Sequence, residues 1–238
     1  MKKLFSILLL LSSSLLFSQQ EVQITDYGKD MLAFVPDGWK IITSTAGDLN
    51  KDKADDIAIV IEDTNKENFI ENEFLGAPIL NINPRYLLIL FKEEKGYRLA
   101  GLNRDFIPSQ NDAESSCLED PFMESGGMEI KNGVLSVSFH YWLSCGSYGV
   151  TNECFKLRWQ DGKFVLIGYD HSEFSRSSGE ESLTSINFLT KKKSETNGGN
   201  MFADGENNPK TVWKKIKIDK FITLQDLDKS GQIDFFNL

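Results

Sequence analysis

The sequence predicts an all-β protein made of two antiparallel meander sheets, arranged either as a sandwich or as propeller-like blades. Three observations carry this. Short runs rich in Val, Ile, Leu, Phe and Trp recur through both halves of the chain, bounded by Gly, Asp and Asn. Some alternate at the two-residue period of a strand, as Leu135, Val137, Phe139, Tyr141 and Leu143 do against Ser136, Ser138, His140 and Trp142. Others, such as residues 86–91, are apolar at every position, which implies sheets covered on both sides.

In the first half, Trp39, Ile41 and Thr43 alternate with Lys40 and Ile42, and Asp56 opens the apolar run 57–61. Residues 86–91 form a third strand, and Gly96 leads into a fourth at 97–100, completing a meander. In the second half, the strand at 135–143 is followed by Phe155, Leu157 and Trp159 alternating with Lys156 and Arg158. Asp161-Gly162 is a hairpin signal, because glycine accepts positive φ. Residues 164–167 and 186–189 supply the last two strands. The hairpins 91–106 and 159–174 share length and logic, a faint internal repeat. Residues 191–210, with Lys191-Lys192-Lys193, Gly198, Gly199 and Gly205, lack a core pattern and are expected as a mobile loop. Trp213, Ile216, Ile218 and Phe221 then return the chain to the fold, and Thr223 with Asp226 three residues on reads as a cap for a short helical turn.

The chain opens with Met1-Lys2-Lys3, an apolar run to Phe17, and Ser18, the pattern of a secretory signal peptide over 1–18. Residues 19–238 are expected as a single β-rich domain, secreted or periplasmic, with no membrane span once the signal is removed. The formal net charge is −9, and loss of Lys2 and Lys3 brings the mature chain to about −11. Such a surface repels phosphate backbones, which disfavours nucleic acid, and favours metal cations and basic partners. An exported chain with Cys117, Cys145 and Cys154 can form one disulfide and leaves one thiol over. Cys145 and Cys154 flank a Gly-Ser-Tyr-Gly turn and are the leading pair. Strand parity places them on opposite faces, so that pairing requires a bulge near Gly146.

The sharpest motif is Gly47-Asp48-Leu49-Asn50-Lys51-Asp52-Lys53-Ala54-Asp55-Asp56, running directly into an apolar strand. Asp48, Asn50, Asp52 and Asp56 fall at loop positions one, three, five and nine, with the Ala54 carbonyl at seven. Calcium takes six to eight oxygens, and this spacing wraps a short loop around one such ion. The stretch resembles the calcium loop of FG-GAP repeats, the units of integrin-alpha-type β-propellers. That resemblance implies calcium as cofactor, with Asp48, Asn50, Asp52, Ala54 and Asp56 as its ligands. Lys53 stands where the family carries glycine, and one good copy is present instead of several. A second acidic run, Asp226, Asp228, Ser230 and Asp234 with Gly231 and Ile233, resembles an EF-hand or dockerin loop, but Asn237 stands where a bidentate acid is expected. More broadly, the Asp48 loop, residues 164–170 and 184–190, and Trp213 with its Lys-rich strand resemble a group of exported bacterial proteins, a resemblance that brings no activity with it.

Among catalytic candidates, His171 lies in Asp170-His171-Ser172-Glu173, with Arg176 and Glu180 nearby, and could act as a general base. His140 falls on a polar strand face. Neither accompanies a nucleophile motif. The expected function is therefore an exported, non-enzymatic binding or scaffold module with a protein or polysaccharide partner, stabilised by calcium. The alternative is a hydrolase of an envelope or extracellular polymer using Asp170, His171 and Glu173, and a weaker third reading is an inhibitor or adhesion factor.

Overall fold

The computed structural model describes residues 22–203, 208–228, 233–236 and 238. The signal peptide expected at 1–18 lies outside them. The strands are β1 (Tyr27–Gly28), β2 (Trp39–Gly47), β3 (Asp56–Asp63), β4 (Phe69–Glu71), β5 (Ile79–Asn81), β6 (Arg85–Glu93) and β7 (Gly96–Asn103) in the first half. The second half supplies β8 (Gly127–Lys131), β9 (Val134–Trp142), β10 (Gly149–Gln160), β11 (Lys163–Ser175), β12 (Glu180–Asn187), β13 (Lys192–Asn200) and β14 (Lys210–Lys215). They form a five-stranded sheet ordered β1-β7-β6-β3-β2 and a seven-stranded sheet running β14 to β8 in unbroken sequence order, with β4 and β5 as a small separate hairpin. Every pairing in these sheets is antiparallel.

Alternation builds the core. On β3 and β6, Ala58, Val60, Leu87, Ile89 and Phe91 face the seven-stranded sheet and join Leu135, Val137, Phe139, Phe155, Leu157, Phe164 and Leu166 in one buried cluster. Their neighbours Ile59, Ile61, Leu88 and Leu90 point the other way, onto Phe34, under a cover that includes Ile24, Met31 and Val35. The five-stranded sheet is thus buried on both faces, as its continuous apolar runs require. The seven-stranded sheet, also expected to be covered on both sides, is not. Its outer face carries Ser136, Ser138, His140, Asn152, Cys154, Lys156 and Arg158, all only partly buried. Two unequal sheets over a shared core make a sandwich-type arrangement.

One irregularity resets the phase of β11. Lys156 of β10 pairs with Gly168, but the next residue, Leu157, pairs with Leu166, so Ile167 is an extra residue in the strand. Before the bulge, Phe164 and Leu166 face the core; after it, Tyr169 does. The neighbouring hairpin turns as its sequence requires, with Asp161 and Gly162 at φ 51° and 78°. Asn132 and Gly133, at 54° and 74°, make the same kind of turn between β8 and β9.

Residues 192–200, expected within a mobile loop, are strand β13, paired with both β12 and β14. The apolar pattern is missing because the inward positions are Lys193 and Glu195, and two hydrogen-bond ladders order the segment instead. Trp213, expected to rejoin the core, is exposed on β14, whereas Ile216 is buried. Thr223 and Asp226 cap a 3-10 turn (Leu224–Asp226) as expected, the Thr223 backbone N–H and hydroxyl donating to Asp226 Oδ2 at 2.8 and 2.7 Å.

The disulfide joins Cys117 to Cys145, with Cα atoms 5.4 Å apart, and not Cys145 to Cys154. Cys154 is free and sits opposite Ser138 and Asp170 on the polar face, the side parity assigns it. The bridge pins the long connection between the sheets to the end of β9. Buried Arg85 pins the same connection from the other sheet, donating to both oxygens of Asp120 at 2.8 and 2.7 Å and through Nε to Glu62 at 2.7 Å.

Cys117→Ser and Cys145→Ser are each expected to lower unfolding stability in urea by about 2–4 kcal/mol, the range for a loop-closing bridge, with Cys154→Ser close to native. Non-reducing peptide mapping should show Cys117 bridged to Cys145.

Candidate functional site

The Asp48 loop closes on itself. Asp56, at the start of β3, is fully buried. Its Oδ2 accepts from the Leu49 and Asn50 amides at 2.9 and 3.2 Å, and its Oδ1 from the Lys92 amide of β6 at 2.9 Å. Burial raises its pKa above the ordinary aspartate value, against the pull of those three amides. Asp48 accepts from the Lys51 and Lys53 amides, Asn50 from the Asp52 amide, and Asp52 from the Ala54 amide. Lys51 and Lys53 carry φ of 68° and 74°, so Lys53 does occupy the left-handed position where the resembling family has glycine.

The side chains of the loop serve its own backbone amides. A calcium ion would draw on Asp48, Asn50, Asp52 and the Ala54 carbonyl, while Asp56 is turned inward with one oxygen already accepting two bonds. Among the described residues, no three carboxylate, imidazole or thiol groups converge on a metal-sized space. At the C-terminal run, Asp226 caps Thr223 and Asp234 Oδ1 accepts from the Phe236 amide at 3.0 Å. Ser230, Gly231 and Asn237 lie outside the described residues.

A different cluster gathers where the bulge turns β11 inward. Register places Glu153 opposite His171 and Phe155 opposite Tyr169, with Phe139 on the far side of Glu153. The Tyr169 hydroxyl donates to Glu153 Oε1 at 2.6 Å, and the Tyr141 hydroxyl lies against the same carboxylate. His171 Nδ1 is 3.3 Å from Tyr169 Oη and 3.8 Å from Glu153 Oε1, and its Nε2 is 3.1 Å from Glu173 Oε1. Burial pushes the Glu153 carboxyl up, but the hydrogen bonds from His171, Tyr169 and Tyr141 outweigh it and hold the group below its ordinary value. Burial pushes the His171 imidazole down, and the carboxylates of Glu153 and Glu173 outweigh that and raise it. Burial and the neighbouring Glu153 charge raise both tyrosines, so they remain neutral donors.

Glu153, Tyr141 and Tyr169 line a cavity of about 310 Å³, walled also by Phe106, Phe139 and Phe155 and closed by the C-terminal segment through Leu227 and Phe235. Phe235 stacks on Tyr169 with ring centres 4.2 Å apart, and Phe236 meets His171 edge-on at 4.9 Å. The buried Lys193 ammonium holds that segment, donating to the Phe236 carbonyl at 2.5 Å while paired with Glu195 at 3.0 Å. Asn103 holds it from the other sheet, donating to the Leu224 and Leu227 carbonyls at 2.6 and 2.8 Å.

Asp170 does not join His171 and Glu173. It faces outward, paired with Lys156 and accepting from the Ser185 hydroxyl at 2.6 Å. Arg176 lies 3.8 Å over the Trp142 ring and donates to the Leu143 and Ser147 carbonyls, bracing a loop. Glu180 is hydrogen-bonded to Ser178, and His140 to Asn152 on the outer face. Sequence reasoning missed Glu153, Tyr141 and Tyr169 as site residues. The one signal was Glu153 in phase with Phe155 and Leu157, an acid at an inward position.

Asp56→Asn is expected to lower stability by about 1–3 kcal/mol through loss of a buried acceptor, equally in chelator and in calcium, as read by urea melts. His171 has a raised folded pKa, so its contribution is complete below the unfolded value of about 6.5 and is lost as pH climbs through the folded value. The native protein should weaken over that interval, and His171→Gln should flatten the slope.

Comparison with protein-family models, curated proteins and solved structures found no match, so the chemistry of this site stands on its geometry alone.

Proposed function

We propose that the chain is an exported, non-enzymatic binding module, and that its ligand site is the aromatic cavity between the seven-stranded sheet and the C-terminal segment. One observation carries this: an acid held in its ionised form, Glu153, lines a cavity whose other walls are mostly aromatic. Concave, largely apolar sites with a few converging polar groups are what small-molecule recognition uses, and about 310 Å³ falls at the lower end of their size range. The walls are preorganised. Phe106, Phe139 and Phe155 belong to the shared core, so ordering them adds little to the entropy lost on binding. Export is supported by the leader-like sequence and by the Cys117–Cys145 bridge, which suits an oxidising compartment.

The hydrolase reading, with Asp170, His171 and Glu173 as the acid–base set, loses its first member to the opposite face of the sheet. The binding role also needs no ion at the Asp48 loop.

The test is a fragment screen by ligand-observed NMR, with hits mapped on isotope-labelled protein. Small aromatic and aliphatic fragments should bind in the millimolar range and shift Tyr169, Phe155 and Phe235 together. Hits that map elsewhere, or no hits at all, would overturn the cavity as the binding site.

A further inference from the structure

We propose that the open edge of β14 takes up an extended acidic polypeptide as an added strand of the seven-stranded sheet, at a site independent of the aromatic cavity.

The phase of the ladder shows what the edge offers. The Ile216 N–H donates to the Lys191 carbonyl at 3.0 Å, one pair beyond Lys215 and Lys192. Along an antiparallel ladder, residues whose backbone groups meet the partner alternate with residues whose groups point away. Counting back from Ile216, Lys214, Val212 and Lys210 bond to β13. The N–H and C=O groups of Thr211, Trp213 and Lys215 therefore point to the open side. Every residue of β14 is exposed, and among the described residues none of those three meets another backbone group on that side.

Edge strands invite pairing, and proteins blunt them with proline, a bulge or charge. β14 has no proline and pairs with β13 without a register shift, so lysine is its one guard. It also shows solvent two apolar side chains, Val212 on one face and Trp213 on the other, 54% and 68% exposed. Protection alone has no use for them. Alternate side-chain contacts of this kind are how an added strand is read, while its backbone supplies the hydrogen bonds.

Charge chooses the occupant. The chain carries a net charge of −9, yet β13 and β14 together hold five lysines against one acid, Glu195. Glu195 is taken by Lys193 and Lys214. On the opposite face Lys192 stands directly across from Lys215, and neither is paired with a carboxylate among the described residues. Like charges directly opposite repel. A second β14 laid along this edge would bring more lysines to it, which disfavours pairing between copies through this strand. An acidic strand instead sets carboxylates beside Lys214 and Lys215, one on each face, and apolar side chains beside Val212 and Trp213.

The experiment titrates the full mature protein, isotope-labelled, with the capped peptide Glu-Glu-Ile-Val-Thr-Glu at constant ionic strength. The Thr211, Trp213 and Lys215 amides are read by NMR. They should shift together and exchange with solvent more slowly when the peptide is bound. The peptide should bind at least about tenfold more tightly than Lys-Lys-Ile-Val-Thr-Lys, the scale of three cross-strand charge pairs. N-methylation at alternate residues should abolish binding along one edge of the peptide and leave it within about twofold along the other, because one edge alone faces β14. Thr211→Pro removes an outward N–H while keeping the lysines and Trp213, and should weaken binding at least about fivefold. If Thr211→Pro fails to fold, the N-methylated peptides decide on the native protein. Binding that tolerates N-methylation along both edges, or that slows no amide exchange, overturns strand addition and leaves an electrostatic contact. Trigalacturonate binding as tightly as the acidic peptide overturns it in favour of an anionic glycan. Sedimentation of the protein alone as a dimer that Thr211→Pro dissolves also overturns it, because a second copy then covers the edge. Absence of binding by the acidic peptide overturns it outright. Cavity binding is read at Tyr169, Phe155 and Phe235, so either site can fail without the other.

Discussion

A single extra residue in β11 governs the interior of this protein. Strand side chains alternate strictly, so Phe164 and Leu166 facing the core would carry Gly168, Asp170 and Ser172 inward after them. The bulge at Ile167 inverts that order. Tyr169 and His171 turn inward, Asp170 turns out to Lys156 and Ser185, and the inner face changes from purely apolar to hydrogen-bonding and ionisable within one strand. Bulges are the usual device by which sheets re-aim a side chain near a functional site. Gly168 sits at the reset, where a Cβ would come within 3.2 Å of Lys156 Cδ, so the lysine side chain would have to give slightly.

The polar cluster survives inside because each charge has a partner. Glu153 has two phenols and an imidazole, His171 stands between two carboxylates, and Lys193 has Glu195 and two backbone carbonyls. An unpaired buried charge would be strongly destabilising, so these groups also fix where the C-terminal segment lies. Phe235 then seats on Tyr169, and the space left between them and the core phenylalanines is the cavity. Stability and the candidate site depend on the same contacts. Elsewhere Arg85, between Glu62 and Asp120, plays the parallel part for the long connection that carries Cys117.

The Asp48 loop shows how one pattern of residues serves more than one physical end. Asp and Asn at alternate positions favour calcium because their oxygens can converge, and favour tight turns because the same oxygens accept nearby amides. Here the turn hydrogen bonds are in place, and Asp56 ties the loop to β6 through the Lys92 amide. Spacing alone does not separate the two uses, since the difference lies in where each carboxylate points.

The sequence by itself determined the fold class, the seven principal strands β2, β3, β6, β7, β9, β10 and β11, and the burial of the first sheet on both faces, because alternation and apolar runs are local properties that adjacent residues settle between themselves. It also determined the parity that keeps Cys154 away from Cys145. It did not reveal β13, whose inward side chains are Lys193 and Glu195 and whose order comes from hydrogen bonds to β12 and β14. Nor did it reveal the partner of Cys145, which lies in a connection 28 residues away, or the gathering of Tyr141, Glu153, Tyr169 and His171. Those depend on inter-strand register and on one bulge, and a one-residue shift in register exchanges every inward side chain for an outward one. Only the packing of the two sheets around a common core selects that register, which is why the site became visible in the tertiary structure and not before.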